Sequence, residues 1–95
     1  MRTIYKYQMP FENDERTVKI KTFRGAAPLH VGVQNSRCMV WMMVDERRPP
    51  ADVQFRLVFT GEDLGKTDGG WNYVGTITEG LASLVCHFFW RVEDD

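Results

Sequence analysis

The sequence predicts an all-β fold, a single small antiparallel sandwich or partly open barrel of about seven strands. Three observations predict it. Short runs of alternating apolar and polar residues recur along the chain. Clusters of Gly, Pro, Asn and Asp separate those runs at short spacing. No stretch holds the apolar period of a helix over useful length. Its 95 residues make one domain, residues 1–95. That length supports one core without obligatory staples.

The elements follow in order. Thr3 to Met9 places Tyr5, Tyr7 and Met9 on one face and Lys6 and Gln8 on the other. Pro10 to Arg16 is polar, with a turn at Asn13-Asp14. Thr17 to Phe23 alternates Val18 and Ile20 against Lys19 and Lys21. After Arg24-Gly25-Ala26-Ala27-Pro28, Leu29, Val31 and Val33 form an inward face against His30, Gly32 and Gln34. Asn35-Ser36-Arg37 reads as a hairpin turn. Val53, Phe55, Leu57 and Phe59 alternate with Gln54 and Arg56. Gly61 to Gly70 reads as a flexible hairpin loop, in which Glu62-Asp63-Leu64 can form a short helix that Gly at both ends limits to about a turn. Trp71 to Ile77 alternates again, and Glu79-Gly80 turns the chain.

Two runs do not alternate. Cys38 to Val44 and Leu81 to Trp90 are apolar on both faces. Such strands belong at the centre of sheets. Their second faces still need cover, and the remaining strands are too few to supply it. This predicts a homo-oligomer, with Met42, Leu84, Cys86, Phe88 and Trp90 at the subunit interface.

The net charge is −1, with 26% charged residues. Direct binding of duplex DNA needs a basic surface and is not expected. An acidic mimic of DNA would need a large acidic excess and is excluded for the opposite reason. No run reaches transmembrane length, and the first residues lack an apolar signal segment, so a cytoplasmic, membrane-free protein is expected. Cys38 and Cys86 are then free, buried thiols.

Chemical motifs are sparse. Gly61-Glu62-Asp63-Leu64-Gly65-Lys66-Thr67 has three residues before Gly-Lys-Thr where a P-loop has four, and no helix follows. Its amides can still face an anion. Cys86 and His87 are adjacent in a strand and point to opposite faces, and no Cys-x-x-Cys pair exists, so no metal site is expected. His30 and His87 have no triad or paired carboxylates around them in the sequence. No enzyme and no cofactor is therefore predicted. The binding candidates are Arg47 and Arg48 as forked donors, Lys66 and Thr67 in the Gly-rich loop, and Trp71 and Tyr73 as stacking rings.

Several blocks carry a resemblance. They are the opening Thr3-Ile4-Tyr5-Lys6-Tyr7, the Val33-Gln34-Asn35 hairpin, the Trp41-to-Val44-Asp45 strand end, the Thr60-Gly61 turn, Tyr73-Val74-Gly75-Thr76, and the closing Val85-Cys86-His87-Phe88-Phe89. Together they resemble a family of small, uncharacterised bacteriophage proteins. The resemblance implies a phage origin, an infected-cell cytoplasm and an accessory role, and it transfers no catalytic residue. By analogy the role is counter-defence. The expected function is non-enzymatic: an oligomer that sequesters a small phosphorylated or nucleotide signal. The alternatives are an anti-CRISPR-like inhibitor that binds a host protein and a structural protein of the virion or its assembly.

Overall fold

A computed structural model describes residues 1–12, 14–80 and 84–93, without the side chains of Lys66 and Asp68. The expected turn residue Asn13, the start of the closing run (Leu81, Ala82, Ser83) and the tail residues Asp94 and Asp95 lie outside the described residues. The strands are β1 (Arg2–Gln8), β2 (Thr17–Phe23), β3 (Ala27–Gln34), β4 (Arg37–Asp45), β5 (Pro50–Phe59), β6 (Asn72–Ile77) and β7 (Cys86–Val92). They form two antiparallel sheets, ordered β1-β4-β3 and β2-β5-β7-β6. The sheets pack as a sandwich, not a closed barrel.

The period-2 pattern explains the packing. Val40, Met42 and Val44 of β4 face Val53, Phe55 and Leu57 of β5 and Cys86 and Phe88 of β7 in one core. Tyr5 and Tyr7 line its β1 side. The Tyr7 hydroxyl bonds the Thr22 hydroxyl at 2.9 Å, tying β1 to β2 where no backbone ladder joins them. At the opposite edge β3 meets β6 closely. A Cβ on Gly75 would sit 3.1 Å from Val31 Cγ2, so only glycine fits there without a shift. The β3–β4 turn has Asn35 at φ 52° and Ser36 at φ 63°, the backbone of a type I′ hairpin.

Both non-alternating strands are internal, with β4 between β1 and β3 and β7 between β5 and β6. Three of the five expected interface residues are nevertheless wrong. Met42, Cys86 and Phe88 are essentially unexposed inside the monomer, because their parity points into the sandwich. Trp90 packs partly against the same core, and Leu84 alone is exposed. The outward residues of β7 are His87, Phe89 and Arg91, opposite in parity to the core residues.

The cover for that outer face comes from within the chain. β5 and β6 each pair antiparallel with β7, so they run parallel to each other with β7 between them. Their connection is therefore a crossover and not the expected hairpin loop. It runs over the outer face of the larger sheet. Val58 points outward yet is 5% exposed. The Thr67 hydroxyl accepts a 2.6 Å hydrogen bond from Nε of outward-facing Arg56. The helical turn lies at Gly65–Asp68, not at Glu62–Leu64. Leu29, expected inside, is exposed, because the β3–β4 register shifts between Pro28 and His30 and rotates it outward.

Candidate functional site

Two regions concentrate polar chemistry, and they lie near opposite ends of β5. The first is at the Pro50 end. Phe23 to Ala26 forms a tight turn closed by the Ala26 N–H donating to the Phe23 carbonyl at 3.1 Å. Gly25 holds φ +80°, the left-handed backbone that such a turn needs at its third residue. The Arg24 N–H donates to the Pro49 carbonyl at 2.8 Å, which fastens this turn to the β4–β5 connection. Within that connection the Arg48 N–H donates to the Asp45 carbonyl at 3.0 Å. Arg2 enters from β1, where it pairs with Asp45 in the ladder.

Arg2, Arg24 and Arg48 thus line one cavity of about 280 Å³. The acidic residue in its lining, Asp45, is already engaged. Its carboxylate accepts from Arg47 Nε (3.0 Å), from an Arg47 terminal nitrogen (2.9 Å) and from the Arg47 backbone N–H (3.0 Å). The N-terminal amine stands 3.7 Å away. These hydrogen bonds from Arg47 hold the Asp45 carboxyl well below the usual carboxylate range and push the Arg47 guanidinium up. Arg2 donates to the Met43 thioether, a weak acceptor that leaves its charge unneutralised. Among the described residues, the side chains of Arg24 and Arg48 have no hydrogen-bond or ion-pair partner. Across the Arg24-Gly25 ridge lies a second cavity, of mixed charge, lined by Lys21, Arg24, Asp52 and Glu93, with Glu93 paired to Lys19 at 3.1 Å.

The second region is the outer face beneath the crossover. Arg16 stacks over the Phe59 ring at 4.2 Å and bridges the Glu62 carboxylate at 2.5 Å. Glu62 also accepts from the Phe59 N–H at 2.8 Å. Both contacts lower the Glu62 pKa, the arginine most. They pin the Thr60–Glu62 turn against β7, where His87 faces outward. His87 Nε2 lies 2.7 Å from the Thr60 hydroxyl and Nδ1 lies 2.9 Å from the Thr76 hydroxyl. The Tyr73 hydroxyl contacts Thr76 in turn. Tyr73 and Phe89 meet edge-to-face at 5.6 Å.

The six residues expected to bind ligand do not converge. Arg48 lines the arginine cavity, while Arg47 is held by Asp45. Thr67 is buried, its hydroxyl taken by Arg56 and its N–H by the Leu64 carbonyl, so it offers an anion nothing. The Gly65 N–H goes to Asp63 at 2.7 Å. The Lys66 side chain lies outside the described residues. Trp71 carries the Arg91 guanidinium on its ring at 4.3 Å. Tyr73 is exposed on the far face. Residues 50 to 59 of β5 separate Arg48 from Thr60, roughly 30 Å at about 3.3 Å per residue. One nucleotide cannot span both. Arg2 and Arg24 were not legible as partners, since only the strand register brings them to Arg48. His87 was not legible as part of a polar site, because its sequence neighbours are apolar.

Among the described residues, no group of three His, Cys, Asp or Glu is placed to hold a metal, and no helix is long and apolar enough to cross a membrane. The fold and its cavities define a small β-sandwich domain with a cationic cavity at one end and a ring-lined cleft near the other. The chain belongs to the family described as a domain of unknown function, DUF7352, whose model matches residues 1–95. No curated protein and no solved structure matches it.

Proposed function

We propose that this domain is a non-enzymatic binding protein that takes a small phosphorylated ligand at Arg2, Arg24 and Arg48. The observation that carries the reading is three guanidinium groups around one cavity whose lining carboxylate is already paired with Arg47. Guanidinium forks match phosphate oxygens in pairs. A cavity of about 280 Å³ is just below the range of ligand clefts, roughly 300–1,000 Å³. It suits a phosphoryl group or a small phosphorylated metabolite better than a dinucleotide. The resemblance to small bacteriophage proteins supports an accessory, counter-defence role in which such a signal is sequestered. Calorimetry against inorganic phosphate, pyrophosphate and a panel of sugar and nucleotide phosphates tests the reading. A charge-assisted hydrogen bond is worth about 1.5–3 kcal/mol, so Arg24→Ala or Arg48→Ala weakens binding by about tenfold or more. Arg47→Ala frees the Asp45 carboxylate in the lining and also weakens binding, an effect that Asp45→Asn in the same background removes. No heat and no thermal shift across the panel overturns the proposal.

A second reading has its own support. The outer face of the smaller sheet carries Ile4 and Leu29, both exposed, beside half-buried Met39, Trp41 and Met43. A host protein or a second copy of this chain would cover this face, not the one holding Met42 and Phe88. Solution mass and pull-down separate these outcomes. An oligomer broken by Ile4→Lys supports self-association. A stoichiometric partner lost with the same change supports an inhibitor of a host protein.

A further inference from the structure

The geometry points to a second, independent binding site: the cleft between the start of the crossover and β7, which accepts a neutral, planar nitrogen heterocycle. The cleft measures about 300 Å³. Val58, Leu64 and Phe89 give it apolar walls, and exposed Tyr73 supplies a ring already set edge-on to Phe89. A flat aromatic guest extends that ring pair, since offset and edge-to-face contacts are the favoured ones. The charged residue in the lining, Glu62, has its carboxylate bound by Arg16 and the Phe59 N–H. The cleft therefore presents no free charge, which selects a neutral guest and sets this site apart from the arginine cavity.

The hydrogen-bonding chain gives the ligand class its second feature. Both His87 ring nitrogens meet hydroxyls, Thr60 at Nε2 and Thr76 at Nδ1, and Tyr73 continues the chain beyond Thr76. Hydroxyls donate and accept equally well, so neither tautomer of neutral His87 is penalised by its partners. With the proton on Nε2, Thr60 accepts from His87 and turns its own O–H toward the cleft. With the proton on Nδ1, Thr60 donates to Nε2 and offers lone pairs to the cleft. A tautomer shift thus changes the polarity at the lip of the cleft without moving a heavy atom. Nitrogen heterocycles present donor and acceptor atoms side by side, and such a lip can match either.

The test uses uridine and adenosine, which are neutral, as probes. Titration followed by two-dimensional NMR is expected to shift the Tyr73, Phe89 and His87 ring signals and to move the His87 ring-nitrogen shifts toward a single tautomer. Tyr73→Ala and Thr60→Val, both at exposed positions, are expected to weaken binding by about tenfold. Arg48→Ala is expected to leave it unchanged, so failure here and failure at the arginine cavity are distinguishable. Absence of shifts at millimolar nucleoside, or affinities unaffected by both cleft variants, overturns the proposal. Loss of uridine binding in Arg48→Ala also overturns it, because a single shared site would then be in play.

Discussion

Phe88→Ala separates an interior residue from an interface residue. Phe88 is fully buried, 6.1 Å from the Phe11 ring, and its ladder neighbours are Leu57 and Gly75. Gly75 has no side chain to fall into the space left behind, so the hole stays open. Loss of a buried Phe costs about 3–5 kcal/mol, and poor collapse places this site in the upper half of that range. A domain of this size loses about 4–8 °C of Tm per kcal/mol, so the expected fall is about 16–40 °C. The assay is thermal unfolding over an about hundredfold range of protein concentration. An interior role predicts a large loss of the same size at every concentration. Exposed Leu84→Ala, as the control, moves stability by under about 0.5 kcal/mol. A Phe88→Ala protein as stable as wild type when dilute, and destabilised only where subunits associate, refutes the packing described here.

Other expectations follow from the same contacts. Thr67→Val removes the acceptor for Arg56 Nε and loosens the crossover, at a cost of about 1–3 kcal/mol in urea unfolding; Val58 then gains amide hydrogen exchange. Burial pushes the Cys38 thiol up to about 11, so its thiolate fraction at pH 8 is about a thousandth. Alkylation of the native protein there is expected to run about two orders of magnitude slower than in urea. Asp45 has a lowered folded pKa, from its Arg47 hydrogen bonds. Its contribution is present above the unfolded carboxylate value of about 4 and is lost as pH falls toward the folded value. Asp45→Asn is expected to flatten that part of the acid limb, as read by unfolding at stepped pH.

Alternation alone made five of the seven strands legible, because a half-buried strand writes its inner face into the sequence: Val53, Phe55 and Leu57 are all inside. The Asn35-Ser36 turn was legible for a similar local reason, as few residues adopt positive φ. The order β2-β5-β7-β6 was not. A hairpin and a crossover leave the same Gly-rich signature, and only the pairing of β7 with both β5 and β6 tells them apart. Misreading that loop produced the largest error. With no crossover to cover β7, its second face demanded another chain, and the wrong parity was then chosen: Cys86 and Phe88 of β7, and Met42 of β4 in the other sheet, point into the sandwich. The arginine cavity was half legible, since Arg48 stood out beside Arg47. Which of the two is free depends on the Asp45 side chain folding back onto Arg47, a choice made in three dimensions.

The central claim is that Arg2, Arg24 and Arg48 form an anion site from which Arg47 is excluded. Arginine side-chain NMR during a pyrophosphate titration tests it most directly. The expected result is saturable movement of the Arg2, Arg24 and Arg48 Nε–H signals while the Arg47 signal, locked to Asp45, stays in place. Movement of Arg47 in step with the others, or no saturable movement at any of the three, contradicts it.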